Sequence, residues 1–205
     1  MTLFCNSRSL LAVATLVWTA LPFAAGAGPL AYVSNEGSAS VSVIDTESDK
    51  VVATLAISRK PPGIALSAHG RRLYISDQEA NSLVVYDTDK KAQLAKIPLG
   101  ESPEAIYLSP DGNSLSAAIE EDDTVAIVDT VKLAVAGRLK MKGKNPEHAV
   151  WSPDGKWLYV SAEEADSLDI VELASGNVVK SLKVGDHPRG FGFLPDGSRA
   201  FSQPY

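Results

Sequence analysis

Two histidines, a few carboxylates and two cations are the residues here whose types and spacing suit chemistry. His148 follows Pro146 by two positions and His187 immediately precedes Pro188, with Glu147 and Arg189 beside the same two prolines and Lys60 and Glu104 beside Pro61 and Pro103. A neutral imidazole assisted by Glu104 or Glu147 is a donor set that suits a transition metal or a haem iron. No HExxH run and no paired Cys–His spacing accompanies it. The plainer reading of both histidines is a polar group hydrogen-bonding a loop carbonyl, and no metal or cofactor is assigned from the sequence.

The acids fall in short clusters. Glu120-Glu121-Asp122-Asp123 offers hard oxygen ligands but lacks the alternating spacing and the glycine of a calcium loop, so it reads as solvated charge on a turn. Lys140, Lys142 and Lys144 form a short basic link of the same bland kind. Ser67, Ser109 and Ser152 lie in turns without the strand–nucleophile–helix setting of an acyl-transfer site, so no catalytic nucleophile is assigned.

What must position these residues is a repeat. The turn SPDG at Ser152–Gly155 recurs as SAHG from Ser67, SPDG from Ser109 and LPDG from Leu194, with His69 in the aspartate slot of the first. The turn glycines Gly70, Gly112, Gly155 and Gly197 are spaced by 42, 43 and 42 residues. Pro61, Pro103, Pro146 and Pro188 keep the same steps, and Asp45, Asp87, Asp129 and Glu172 follow at 42, 42 and 43. Self-similarity of this length signals a repeat architecture. Each unit holds four short apolar runs, in one copy His148–Ser152, Trp157–Ser161, Ser167–Glu172 and Val178–Val184. The third run alternates acids and aliphatics as a half-buried strand does, and nothing after Ala27 sustains a helical period for three turns. Pro-Asp-Gly closes a hairpin, and the Asp-Thr steps at 45–46, 87–88 and 129–130 end the third strand with a side-chain oxygen facing the turning backbone. Trp151 and Trp157 flank a turn and suit packing between facing sheets. Four antiparallel strands per unit, repeated about an axis, make an all-β fold, a β-propeller with about four blades present.

YVSN at Tyr32–Asn35, YISD at Tyr74–Asp77 and YVSA at Tyr159–Ala162 resemble the YVTN-type β-propeller repeat, as do VSVIDT from Val41 and VVATL at Val51–Leu55. The resemblance covers about residues 30–203, and the third copy departs from it with Ser116-Ala117-Ala118. The texture is also similar to exported propellers found with pyrroloquinoline-quinone-dependent oxidation systems. The resemblance implies that the strand after each proline is innermost. The blades are then 31–57 without an inner strand, 62–97, 104–139 and 147–184 in full, and half a blade at 189–203. Seven blades at this period need roughly 290 residues. A truncated ring is therefore expected, the alternative being a four-blade ring sealed by residues 191–194 pairing with the first blade.

This topology puts the links between blades and the loops after the second strands on one face. The candidate channel rim is then Lys60, Glu104, Glu147, His148, His187 and Arg189, beside loop acids that include Glu36, Asp77, Glu120 and Glu163.

A net charge of −6 leaves no basic surplus for a phosphate backbone, so nucleic acid is not an expected partner. Arg8, the apolar run 10–25 and Ala25-Gly26-Ala27 read as a cleaved signal over residues 1–27, ahead of repeats over 28–205. The run is too short for a membrane span, Cys5 leaves with the signal, and a periplasmic or secreted location follows. The function expected is a non-catalytic periplasmic scaffold or binding module for a protein or small-molecule ligand, and the resemblance implies service as an accessory to a quinone-dependent oxidation system. The alternative is a metal- or haem-binding propeller enzyme, lactonase-like or nitrite-reductase-like.

Overall fold

The computed structural model describes residues 29–203. The expected signal over 1–27, with Arg8 and Cys5, lies outside the described residues. Among the described residues there is no α-helix, and hence no helix long and apolar enough to cross a membrane.

The strands group into successive antiparallel meanders. The first blade is β1 (Leu30–Asn35), β2 (Ser40–Asp45) and β3 (Lys50–Leu55). The second is β4 (Ile64–Leu66), β5 (Arg72–Asp77), β6 (Ser82–Asp87) and β7 (Ala92–Pro98). The third is β8 (Pro103–Leu108), β9 (Ser114–Ile119), β10 (Thr124–Asp129) and β11 (Ala134–Lys140). The fourth is β12 (Pro146–Trp151), β13 (Trp157–Ala162), β14 (Ser167–Glu172) and β15 (Asn177–Lys183), followed by the pair β16 (Phe191–Phe193) and β17 (Ala200–Ser202). These limits match the blades expected from the proline and glycine steps.

Neighbouring sheets approach through their first strands, β4 against β8, β8 against β12 and β12 against β16, which makes those strands innermost. The outer strands are largely exposed, with Val51 and Val52 open to solvent, whereas β5, β6, β9 and β14 are buried. The blades form an arc and not a closed ring. Residues 191–193 pair with β17, so the four-blade closure through that segment is not formed.

The core is a set of seams, not one centre. Val41, Leu73, Ile75 and Tyr86 pack between the first two blades. Tyr74, Leu83, Val85, Ile106, Leu115 and Ile119 fill the next seam, and Val125, Ala149, Leu158 and Val171 the one after. Each fully buried aliphatic side chain contributes roughly 1.5–3 kcal/mol, so each seam is a substantial adhesive surface.

Local chemistry explains the repetition. Gly70, Gly112, Gly155 and Gly197 sit at φ of 70°, 71°, 68° and 69°, which a side chain would oppose. The hydroxyls of Ser67, Ser109 and Ser152 accept the N–H of the residue opening the next strand, each at 3.0 Å. Thr88 and Thr130 donate to the carbonyls of Gly70 and Gly112 at 2.6 and 2.7 Å, which ties the second hairpin of a blade to its first. Asp129 Oδ1 accepts the N–H groups of Val131 and Lys132 at 2.9 and 2.8 Å, the aspartate role expected from the Asp-Thr step. A bulge recurs between the two outermost strands of the first four blades, at Val43/Ile44, Val85/Tyr86, Ile127/Val128 and Ile170/Val171, and adds twist at the same place each time.

The third copy's departure has a packing answer. Ser116 stands where Tyr32, Tyr74 and Tyr159 stand, and the facing position on the next inner strand carries Trp151 where other blades carry Leu108 or Phe193. Ser116 Oγ donates to Ala149 O at 2.6 Å, and Trp151 Nε1 donates to Tyr107 O at 3.1 Å. A small residue on one side is matched by a large one on the other. Trp157, by contrast, is half-buried near the hairpin face and belongs to none of the seam clusters.

Candidate functional site at the channel mouth

Backbone geometry delivers two columns of side chains to the rim. One column is the residue after each inner-strand proline: Pro62, Glu104, Glu147 and Arg189. The other is the residue after each second strand: Glu36, Gln78, Glu120 and Glu163. The second column is fixed by the preceding link, because the N–H groups of Gln78, Glu120 and Glu163 donate to the carbonyls of Lys60, Ser102 and Asn145 at 3.0 Å or less. The links are held in turn by side chains of the loops. Ser102, Asn145 and His187, each just before a proline, are left-handed at φ of 57°, 54° and 46°. Their N–H groups are accepted by Asn81, Asp123 and Asp166 at 3.2, 3.2 and 3.1 Å. His187 therefore owes its position to a turn, and it is exposed to solvent.

Across each blade boundary the loop residue of one blade meets the next. Glu36 pairs with Lys60 at 3.4 Å. Gln78 Nε2 donates to Glu104 Oε1. Glu163 takes a fork from Arg189, Nε to Oε1 at 3.2 Å and Nη2 to Oε1 at 3.0 Å. The boundary between the third and fourth blades is the exception, because there Glu120 faces Glu147. Ligand oxygens of Glu120, Glu147 and Glu163 lie within 4.8 Å of one another. The outcome is a row of four glutamates, Glu104, Glu120, Glu147 and Glu163, capped by Gln78 at one end and Arg189 at the other.

Four carboxyls in line cannot all ionise. Glu104 and Glu147 are 8 % and 4 % exposed, the two most buried of the row. Burial, with the Glu120 and Glu36 charges, pushes the Glu104 carboxyl up to about 7. Burial, a hydrogen bond to Glu163 and the Glu104 charge push Glu147 up to about 8, against the pull of Arg189. Glu163 moves the other way: its partial burial works upward, but the bonds from Glu147 and Arg189 outweigh it and hold it below the usual carboxylate range. Glu147 thus keeps a proton at neutral pH beside an ionised Glu163. Glu120 is held by Ser102 Oγ, which donates to its Oε2 at 2.8 Å.

His148 lies just below the row. Tyr107 Oη and His148 Nδ1 are 2.6 Å apart across the two inner strands, and His148 N donates to Ser161 Oγ at 3.1 Å. Burial and the Arg189 charge hold the imidazole below its usual value, and burial raises the Tyr107 phenol. Equivalent places in the other units carry Gly63, Ala105 and Gly190, and Ala65, Val150 and Gly192, so this hydrogen-bonded pair belongs to one boundary alone.

Of the six rim residues expected from sequence, the structure joins Glu104, Glu147 and Arg189 in one network. Lys60 stands at its edge through Glu36, and His187 at its outer side. The group of ligand-capable atoms found among the described residues contains neither histidine. In the sequence Glu120 and Glu163 stand among several loop acids, and no motif singles out Gln78 or Tyr107. The fixed place of Gln78, Glu120 and Glu163 after the second strand was the available signal.

The family model described as lactonase, seven-bladed β-propeller, matches residues 21–147 and 100–186. No curated protein matches the chain. Among solved structures, hydrazine synthase of Kuenenia stuttgartiensis is similar at 26 % identity and a TM-score of 0.77, over 82 % of this chain and 50 % of that one. A protein provisionally assigned as a 6-phosphogluconolactonase, from Bacteroides uniformis, is similar at 18 % identity and a TM-score of 0.72, over 86 % and 61 %. A functionally unknown protein of Desulfotomaculum acetoxidans is similar at 18 % and 0.73, over 84 % and 58 %. The last two likenesses speak to fold alone. The chain spans about half to three-fifths of the length of these structures.

Proposed function

The chain belongs to the lactonase, seven-bladed β-propeller family, and from that premise we propose that its glutamate row binds a small lactone or hydroxy acid and acts on it by acid–base chemistry. One observation carries the reading: Glu120, Glu147 and Glu163 converge within 4.8 Å while Glu147 is held protonated near neutral pH. An acid whose pKa lies near the working pH is suited to proton transfer in either direction.

In this scheme a water attacks the lactone carbonyl and gives its proton to Glu120. Glu147 protonates the ring oxygen as the carbon–oxygen bond breaks, which leaves a hydroxy acid. The proton taken by Glu120 returns to Glu147 across the same short gap. Arg189, half-exposed at the end of the row, is the cation available to the carboxylate produced. Proton release from a panel of γ- and δ-lactones, by wild-type protein and Glu147→Gln, tests this. Turnover lost at least a hundredfold in the variant supports it, and no turnover of any lactone by the wild type contradicts it.

A second reading has its own support. Most rim groups are already satisfied by one another, and the more similar solved structure is a hydrazine synthase twice the length of the matched region. On that reading the protein is an exported binding module, and its general likeness to exported propellers found with quinone-dependent oxidation systems makes such a system its proposed setting. Saturable ligand binding at the row without turnover favours it over the first.

A further inference from the structure

The repeat also makes grooves at two blade boundaries on the opposite face, where the Ser-Pro-Asp-Gly hairpins lie, and the two differ in charge. Between the third and fourth blades the cavity, about 450 Å³, is lined by Asp111 and Asp154 together with Trp151 and Ile127, and by no cation. Between the second and third blades the equivalent cavity, about 350 Å³, is lined by His69, Arg71 and Arg72 with Tyr74, Asn113 and Thr130. The cause is visible in the hairpin itself. In the other copies the turn aspartate folds back on its own loop: Asp154 Oδ1 accepts Ser152 Oγ at 2.6 Å and Lys156 N at 3.1 Å. His69 makes no such bond, and the two residues after the turn glycine Gly70 are arginines where the other copies have Asn113-Ser114, Lys156-Trp157 and Ser198-Arg199.

The arginines retain donors. Arg72 spends one nitrogen, Nη1, on Thr130 O at 2.7 Å, which anchors its guanidinium at the blade boundary and leaves the rest of the fork without a partner among the described residues. Arg71 meets Asp89 at 3.5 Å, but both side chains are more than two-thirds exposed, so that pair holds it weakly. Asp111 also lines the groove, yet its carboxylate is occupied by Ser109 Oγ, Asn113 N and Asn113 Nδ2 at 2.6 to 3.0 Å.

We propose that this groove between the second and third blades binds the anionic group of a small ligand, a phosphate or a carboxylate. An anchored guanidinium with a planar set of remaining donors, a second guanidinium and an imidazole around one concavity are the recognition elements such a group uses. The site is independent of the glutamate row and stands or falls without it.

The test is titration of ¹⁵N-labelled protein with inorganic phosphate and, separately, with acetate, followed by amide and arginine side-chain shifts. The comparison is His69→Asp combined with Arg71→Ser. Arg72 is left in place because its bond to Thr130 O supports the fold, and His69→Asp restores the turn of the other copies, so the variant is expected to melt no lower than the wild type. The expected result is a saturable shift at residues 69–72 and 113, weakened at least tenfold in the variant and by raised salt. Tighter phosphate binding marks a phosphate-bearing ligand, and equal or tighter acetate binding a carboxylate-bearing one. No saturable shift with either anion, an undiminished shift in the variant, or shifts confined to Arg189 and the rim would overturn the proposal.

Discussion

Arg189 closes the glutamate row by gripping Glu163 with a fork of hydrogen bonds, the shortest at 3.0 Å, while the same Nη2 stands 3.6 Å from Glu147. It occupies the repeat position that carries glutamate in the two preceding blades. One substitution in a repeated column thus turns a run of acids into a run with a cationic end.

Removing that end shifts the protons. Arg189→Gln takes away the charge that lowers both Glu147 and Glu163, so both carboxyls are expected to titrate at higher pH. The loss in stability is small, about 0.5–1 kcal/mol, because the guanidinium is half exposed. Carboxyl ¹³C shifts of the variant against pH check the direction.

Stability should fall as pH rises from 5 to 9. Glu104 and Glu147 have folded values of about 7 and about 8, raised from 4.5. A raised carboxyl contributes stability that is complete below its unfolded value and is lost as pH climbs through the folded one. A full shift is worth about 1.4 kcal/mol per pK unit, and solvent at the rim reduces the net effect to about 1–2 kcal/mol. Glu147→Gln should therefore flatten the fall in unfolding midpoint between pH 5 and 9, measured calorimetrically. An equally steep fall in the variant counts against the buried, protonated state.

The first full blade offers a test of the backbone frame. A Cβ at Gly63 would lie 2.7 Å from Glu104 O and 2.9 Å from Ile106 N, both backbone atoms of β8. Gly63→Ala must push apart the inner strands of two blades, and a cost of about 1–3 kcal/mol is expected in chemical denaturation.

The Ser116–Trp151 exchange predicts coupling. Ser116→Tyr alone crowds a fully buried site already facing a tryptophan. Ser116→Tyr with Trp151→Leu recreates the Tyr74–Leu108 arrangement of the neighbouring seam. The double variant should be more stable than Ser116→Tyr by at least about 1 kcal/mol, a non-additive result in denaturant titrations.

Much of this architecture could be read from the chain because its markers act locally. Gly155 needs positive φ, Pro146 opens an inner strand and Asp129 caps a turn, and each recurs at one period, so the approximate limits of the blades present followed. The rim residues Glu104, Glu147 and Arg189 could be placed on one face by the same topology. Their partners could not. Glu120 meets Glu147 only because two blades pack side by side; its place after the second strand sets it apart from the solvated acids Glu121 and Asp122, but nothing in the chain names the residue it faces. His148 is hydrogen-bonded, as its plainer reading expects, but its partner Tyr107 stands 41 residues away on another strand and no local pattern names it. His69 passed as a turn residue; its lost carboxylate acquires meaning only once the groove beside it is seen.

The account rests on a proton held at neutral pH in the glutamate row, and site-resolved carboxyl titration measures it directly. With ¹³C-labelled glutamate and Glu104→Gln and Glu147→Gln for assignment, the prediction is two carboxyls titrating near 7 and near 8, Glu147 the higher. Titration of both in the ordinary range near 4.5 would contradict it.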